Sequence, residues 1–228
     1  MQVRAPTMWP SRVGAPAVAL ATLALVLPAP AAADPLPAGV SARPRTVEAV
    51  QRKLAELGFL PQEGVDGIFG GHSRTAVIAF QKWRGLVRDG IPGPLTQRAL
   101  AIAKRPTPRT RGRRGTRIEI LLDRQVLLFI RNGWVARTIH VSTGKRGFVT
   151  PSGEYTVFRK RRRSWSIPYK VWLPWASFIV GGIAIHESAN VPVRRASHGC
   201  IRVPRYDAMW LFRRTPVGTP VTVLARSR

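Results

Sequence analysis

Apolar residues in the first half of the chain recur at helical spacing. Val47, Val50, Leu54 and Leu57 fall three or four positions apart, which is the period of one helix face. Thr46 stands where an N-cap belongs, Glu48 suits the positive end of the helix dipole, and Gly58 follows as a stop. A second helix is predicted over 73–83, with Ala76, Val77, Phe80 and Trp83 facing inward. A short third helix carries Leu95, Ala99, Leu100 and Ile102. The same stretch repeats itself. Asp66-Gly67-Ile68-Phe69-Gly70 is followed by Ser73, Ala76 and Val77, and Asp89-Gly90-Ile91-Pro92-Gly93 by Thr96, Ala99 and Leu100 at the same offsets. Asp-Gly supplies turn chemistry, and the hydroxyl near each helix start is expected to cap free backbone N–H groups.

From Arg117 the period changes to two. Ile118, Ile120 and Leu122 alternate, a turn follows at Asp123-Arg124, and Val126, Leu128 and Ile130 alternate again. Asn132-Gly133 favours positive φ and signals a hairpin, with Val135, Arg137, Ile139 and Val141 on the returning strand. Residues 155–158 and 179–185 read as further strands and 221–224 as a closing strand. Residues 206–213 read as a helix, with Asp207 early and Arg213-Arg214 late, as the dipole favours. The predicted class is α+β and multidomain: a small three-helix bundle over 46–103, then a β-rich, sandwich-like domain over 117–225. Between them, 104–116 is rich in Arg, Pro and Gly and reads as a basic, extended, solvated linker.

Composition adds three constraints. An apolar content of 45% is enough to build a core and excludes a disordered chain. The net charge of +26 favours anionic partners, either nucleic acid or an anionic cell envelope, although plain abundance of Arg is the simpler account. Cys200 is the one cysteine, so an intramolecular disulfide and a Cys-rich zinc site are both excluded. Residues 1–33 read as an export signal: Arg4 and Arg12 flank the start of an apolar run over 13–27, and Ala31-Ala32-Ala33 offers cleavage before Asp34. That run falls short of the ~20 residues a spanning helix needs. An uncleaved N-terminal anchor is the rival reading and would be the one route to membrane contact. Export and the lack of a nucleic-acid motif argue against nucleic acid as a partner.

The candidate chemistry lies in Ile185-His186-Glu187 and Ser197-His198-Gly199-Cys200-Ile201-Arg202. A thiol attacks as thiolate, and a neighbouring His can lower its pKa and take its proton. Gly199 lets a substrate carbonyl approach the backbone closely, and the N–H groups of 198–200 form a candidate oxyanion hole. His186 ends an apolar run and is predicted at a strand end facing a cleft. Taken singly, Cys200 also fits a small packing residue, and His198 a locally satisfied histidine. Trp165, Tyr169, Trp172 and Trp175 suit a groove, a lid or a core alike. The charge run 159–163 reads as solvated surface. A zinc peptidase built on His186, His198 and Glu187 would lack the HExxH helix.

Two resemblances sharpen this. The run Val50-Gln51, Leu54, Leu57-Gly58-Phe59, Asp66-Gly67, Phe69-Gly70, Ala76-Val77, Phe80-Gln81, Gly85-Leu86, Asp89-Gly90 and Gly93 resembles a peptidoglycan-binding domain of the three-helix type. Gly71-His72-Ser73 departs mildly from that pattern, where a Pro or small residue and then Thr is usual. Ile-His followed by Ser-His-Gly-Cys-Ile-Arg-Val resembles the L,D-transpeptidase catalytic domain. Ser142-Thr143-Gly144, Thr150-Pro151-Ser152-Gly153, 181–186 and 216–220 extend that likeness. The resemblance implies Cys200 as acyl-enzyme nucleophile and His186 as general base. It implies that the carbonyl of Glu187 orients the imidazole, although the family often has Gly or Ser there. Ser197, His198 and Gly199 would shape the oxyanion loop. Arg202, like Ser197 and Glu187, would be a substrate-binding position. The implied activity is 3→3 cross-linking of peptidoglycan without metal or cofactor, with peptidoglycan as partner and the periplasm or cell wall as location. An L,D-carboxypeptidase acting on stem tetrapeptides and a non-catalytic wall-binding protein are the alternatives.

Overall fold

The computed structural model describes residues 46–110 and 114–226. The export signal and its cleavage region lie outside the described residues.

Helix α1 spans Val47–Glu56, α2 Gly71–Arg84 and α3 Pro94–Ala101, with a 3₁₀ turn at Gln62–Gly64. Thr46 Oγ1 accepts the Ala49 N–H at 3.2 Å, and Gly58 leaves α1 in the left-handed region at φ +80°. Leu54, Val77, Phe80 and Leu100 are fully buried between the helices. Each such side chain stabilises the fold by about 1.5–3 kcal/mol. Leu95, on the same helix, is 67% exposed, and Thr96, Ala99 and Leu100 supply the inner face of α3.

The repeat is real, but its hydroxyls do not cap helices. Gly70 and Gly93 hold the N-cap positions without a side-chain bond. Ser73 and Thr96 instead accept from two buried glutamine amides. Gln51 Nε2 donates to Asp66 Oδ1, Ile68 O and Ser73 Oγ, and Gln81 Nε2 to Asp89 Oδ1, Ile91 O and Thr96 Oγ1. Gln51 Oε1 accepts the Gly67 N–H and Gln81 Oε1 the Gly90 N–H. A buried amide must satisfy both ends, and each Asp-Gly turn is folded around one.

The second part contains two sheets. Strands β1 (Thr116–Leu121), β2 (Val126–Arg131), β3 (Trp134–His140), β4 (Gly153–Thr156), β5 (Arg159–Ser166), β6 (Val171–Val180), β7 (Ile183–Glu187) and β8 (Ile201–Val203) precede helix α4 (Arg205–Arg214) and β9 (Pro220–Leu224). One sheet has the order β3-β2-β1-β9-β4 and the other β5-β6-β7-β8. Asn132 and Gly133 turn β2 into β3 at φ +50° and +84°. The run 179–185, read as strand, is a hairpin: Gly181, at φ +49°, breaks it between β6 and β7. The charge run 159–163 opens β5, whose period its unbroken cations hid.

Both faces of the first sheet are buried. Ile118, Ile120, Phe129 and Ile139 face the second sheet and α4, meeting Ile185, Ile201 and Leu211. Leu121, Val126, Leu128, Ile130 and Val135 face the helices and share one core with Leu54, Phe80 and Leu100. The bundle therefore packs directly on the sheet. Residues 105–110 are correspondingly not free in solvent. Arg109 N and Thr110 N donate to the buried Glu119 carboxylate at 2.7 and 3.0 Å, and Arg105 donates to Val135 O at 3.2 Å. The linker's amides satisfy a charge that would otherwise be costly to bury.

Candidate active site

β7 and β8 run parallel, with Ile185 opposite Ile201 and His186 opposite Arg202. Side chains alternate along a strand, so this register places Cys200, just before β8, on the sheet face that carries His186. Both line one cavity of about 640 Å³, together with Ser197, His198 and Arg202. The β5–β6 hairpin forms the opposite wall through Trp165, Ile167 and Tyr169.

His186 Nδ1 lies 2.7 Å from Glu187 O. A carbonyl only accepts, so Nδ1 carries the proton and Nε2 is left with a lone pair. Burial pushes His186 down to about 4, against a smaller opposing effect of the Glu187 carbonyl. Cys200 Sγ is 3.8 Å from Gly182 O, and burial pushes its thiol above the usual range, against weaker lowering by the Ala184 amide and Arg202. At neutral pH the free site therefore holds a neutral thiol and a neutral imidazole in one cavity. This reverses the expected low-pKa thiolate: desolvation disfavours both charged forms.

The 197–200 loop is braced from within. Ser197 is buried, and its Oγ donates to Cys200 O at 2.5 Å and accepts the Gly199 N–H at 3.2 Å. Ser197 thus ties the loop together, and its hydroxyl is not turned to a substrate. The Gly199 N–H is committed as well, so of the three expected oxyanion donors the amides of His198 and Cys200 remain. Gly199 itself adopts φ +109°, a backbone region favouring glycine. The His198 ring stacks on Tyr169 at 4.5 Å and meets the edge of Phe148 at 4.6 Å. Glu187 reaches the site through its carbonyl. Arg202 lines the cavity, and its backbone bridges to Ser142. Among the described residues, no three His, Cys, Asp or Glu side chains converge as a metal site.

Residues 142–150 form the outer scaffold. Thr150 Oγ1 donates to Gly199 O at 2.7 Å and accepts the Gly144 N–H at 2.9 Å, while Gly144 bridges to Ser197. A Cβ on Gly144 would fall 1.9 Å from Phe148 O and 2.7 Å from Thr150 N. Overpacking against backbone costs about 1–3 kcal/mol. Gly144→Ala is therefore expected to lower the melting temperature by roughly 2–12 °C, and a melting curve identical to the parent's would contradict this. The aromatic cluster divides. Trp175 packs with Phe212 and the core, whereas Trp165, Tyr169 and Trp172 stay about half exposed on the hairpin. Arg163 lies 4.0 Å over the Trp172 ring and Arg159 4.1 Å over Phe178, so β5 cations cover β6 aromatics.

A family model described as the YkuD L,D-transpeptidase catalytic domain matches residues 115–223, and a peptidoglycan binding domain model matches 43–100. A crystal structure of an L,D-transpeptidase from Xylanimonas cellulosilytica is 35% identical, covers 84% of this chain and all of its own, and superposes with a TM-score of 0.72. An L,D-transpeptidase from Stackebrandtia nassauensis is 25% identical over 79% of this chain and 91% of its own, with a TM-score of 0.53. L,D-transpeptidase 1 of Mycobacterium tuberculosis is 29% identical over 41% of this chain, and the N-acetylmuramoyl-L-alanine amidase CwlL of Bacillus licheniformis is 42% identical over 30%. The chain spans 44% and 20% of the lengths of those two curated proteins. The catalytic-domain match, the helical-domain match and the likeness to the whole of a solved L,D-transpeptidase chain agree, and the chain belongs to the L,D-transpeptidase family, with a YkuD catalytic domain behind a peptidoglycan-binding domain.

Proposed function

We propose that this chain forms 3→3 cross-links in peptidoglycan through a thioester on Cys200. The observation that carries the reading is the pairing of a lone thiol with a buried imidazole in one cavity. That imidazole is fixed by the Glu187 carbonyl with its free nitrogen available as a base.

His186 Nε2 takes the Cys200 proton as sulfur attacks the carbonyl of the L-centre residue in a stem tetrapeptide. The oxyanion forms against the amides of His198 and Cys200. Collapse breaks the bond to the terminal D-Ala, and the imidazolium returns its proton to the departing amine. An amine from a second stem then attacks the thioester, His186 takes its proton, and the thiol is restored. Burial fits this role. An imidazole that resists standing protonation is in its base form at neutral pH, and a neutral thiol is exposed to attack by oxidants less than a thiolate. If water replaces the second amine, the same steps give a carboxypeptidase. The open cavity and the half-exposed aromatic hairpin favour a site that admits a second stem. Incubation with a disaccharide tetrapeptide should add the mass of that substrate minus D-Ala, disaccharide included, to the intact protein, and no such adduct should form on Cys200→Ala. A wild-type enzyme that turns over substrate without passing through the adduct would remove the thioester from the mechanism.

The location follows from the substrate. Peptidoglycan lies outside the cytoplasmic membrane, and residues 1–33 are proposed to direct export and to be cleaved after Ala33 or close to it. Among the described residues no helix is long and apolar enough to cross a membrane. Mass analysis of exported protein should show loss of the signal. A chain beginning at Met1 in the membrane fraction would indicate an anchor instead. The helical part is proposed to hold the enzyme on the wall. Because it shares a core with the sheet, the binding test uses the whole Cys200→Ala chain, which should pellet with purified sacculi and not remain in the supernatant.

A further inference from the structure

One cation of the helical part reaches deep into the catalytic part. Lys82 on α2 is 1% exposed. Its Nζ donates to Gln125 O at 3.0 Å, Val141 O at 2.8 Å and His140 Nδ1 at 2.7 Å. His140 Nε2 faces Val191 O at 2.8 Å, so that nitrogen carries the ring proton and Nδ1 is an acceptor. Three acceptors thus meet the three protons of an ammonium. Burial pushes Lys82 down to about 6, but a full set of acceptors for the charged form argues that the proton stays.

The residues Lys82 grips lead toward the thiol. Gln125 sits in the left-handed region at φ +60°, unusual for a side-chain-bearing residue. Its carbonyl accepts from Lys82 and from Val141 N at 3.1 Å, and its own N–H donates to Leu121 O. Held in that shape, its side chain embraces Thr143: Nε2 donates to Thr143 Oγ1 at 2.7 Å, and Oε1 accepts the Thr143 N–H at 2.9 Å. Thr143 O then accepts the N–H groups of Ala196 and Ser197 at 2.9 and 3.0 Å. Ser197 Oγ closes on Cys200 O. Lys82, Gln125, Thr143 and Ser197 are all at most 2% exposed. A second branch runs through His140 to Val191, and Arg88 of the helical part donates to Val193 O at 3.1 Å, both in the segment leading into the Cys200 loop.

We infer that Lys82 is a positioning residue for Cys200, so that the wall-binding helix α2 is a working part of the catalytic site through the chain Lys82–Gln125–Thr143–Ser197. The inference rests on the reading of Cys200 as nucleophile only for its consequence in rate; the placement of the thiol is independent of it. Rigid, buried hydrogen-bond chains hold a site within the tolerance that chemistry needs, and misplacement by about 1 Å can cost about 10²-fold.

The test uses the full chain and three variants, Lys82→Met, Gln125→Asn and the double. Gln125→Asn keeps the backbone carbonyl that Lys82 holds, and Asn tolerates positive φ, but the shorter amide no longer reaches Thr143. The titratable and charged side chains that line the cavity with the thiol, which are His186, His198, Arg202, Arg159 and Tyr169, are untouched. Cys200 is the one thiol in the chain, so iodoacetamide labelling followed by pH reads it without background. In the parent the labelling midpoint should lie above the free-thiol value of ~8.5. Each single variant, with a cooperative melt confirmed, should move the midpoint toward that value. The double should move it no further than the larger single, because both cut one chain. Acylation by a carbapenem should slow about tenfold or more in each. Unchanged midpoints in folded variants, or shifts that add in the double, would overturn the inference. If Lys82→Met does not fold, Lys82→Gln replaces it under the same criterion. A parent that labels with iodoacetamide but is not acylated by any lactam or stem peptide would count against the transpeptidase reading and leave the positioning result standing.

Discussion

Cys200→Ala is expected to abolish acylation by a carbapenem, and His186→Ala to slow it about 10²–10⁴-fold, the usual worth of a positioned general base. Carbapenem attack is expected because a thiol in an oxyanion site opens a strained lactam as it opens a peptide. His198→Ala should lose much less through proton transfer. Its ring is held between Tyr169 and Phe148, and its amide, which the substitution keeps, is the part proposed to act. The pH profile separates the candidates further. The base must be neutral to act, so activity is present above the pKa of the working histidine and lost as pH falls through it. With His186 pushed down to about 4, the acid limb of kcat/KM should lie near there and well below the ordinary histidine value of ~6.5. Intact-mass spectra against time and pH read both effects. Near-normal acylation in a folded His186→Ala variant, together with collapse in His198→Ala, would reverse the assignment.

The largest effect on stability is expected from Asp207→Ala. Asp207 Oδ1 lies 2.5 Å from Arg137 Nη2, and both side chains are almost wholly buried where α2, β3 and α4 meet. Arg137 also lies 5.2 Å over the Trp210 ring and 3.3 Å from His72 Nε2, and His72 stacks on Tyr206. Removing the carboxylate leaves a guanidinium buried without its counter-charge, which costs about 3–5 kcal/mol. For a folded part of this size that corresponds to a fall in melting temperature of roughly 6–20 °C. Replacing the pair together, as Arg137→Met with Asp207→Leu, should recover most of the loss, since the uncompensated charge is then gone. Calorimetry that found Asp207→Ala within about 1 kcal/mol of the parent would mean that water reaches the guanidinium.

Much of this architecture was legible where local signals agree. Thr46, Gly58 and the inward Ala76, Val77, Phe80 and Trp83 mark α1 and α2 correctly because cap, period and stop point the same way. Asn132-Gly133 marks its hairpin for the same reason. The sequence was misleading where tertiary partners decide. Val126 to Ile130 is a continuous apolar run, the mark of a strand buried on both faces. Reading only its alternate residues hid the fact that the helices pack on the sheet. β5 was missed because its Arg and Lys side chains mask the period, and their role over β6 aromatics appears only once the strands are paired. At the site, His186, Ser197, His198, Cys200 and Arg202 could be named from the motif, whereas in sequence the hairpin wall with Trp165 and Tyr169 stays open between groove, lid and core. The charge states at the site could not be named, because burial of Cys200 and His186 is a property of the fold. Lys82 and Gln125 gave no local signal at all, and Thr143 only its place in the Ser142-Thr143-Gly144 stretch of the resemblance. A lysine beside an inward Trp83 reads as solvated until its three acceptors are in view. The positive φ of Gln125 is invisible in a residue type that rarely adopts it.

Cys200 is proposed to transfer a stem peptide to a second stem. Purified enzyme incubated with disaccharide tetrapeptide, followed by mass spectrometry of the products, tests it most directly. The expected products are a cross-linked dimer with loss of one D-Ala per bond formed and a 3→3 linkage on fragmentation, with no product from Cys200→Ala. Tripeptide monomer alone, at every acceptor concentration, would contradict it and assign the chain as a carboxypeptidase.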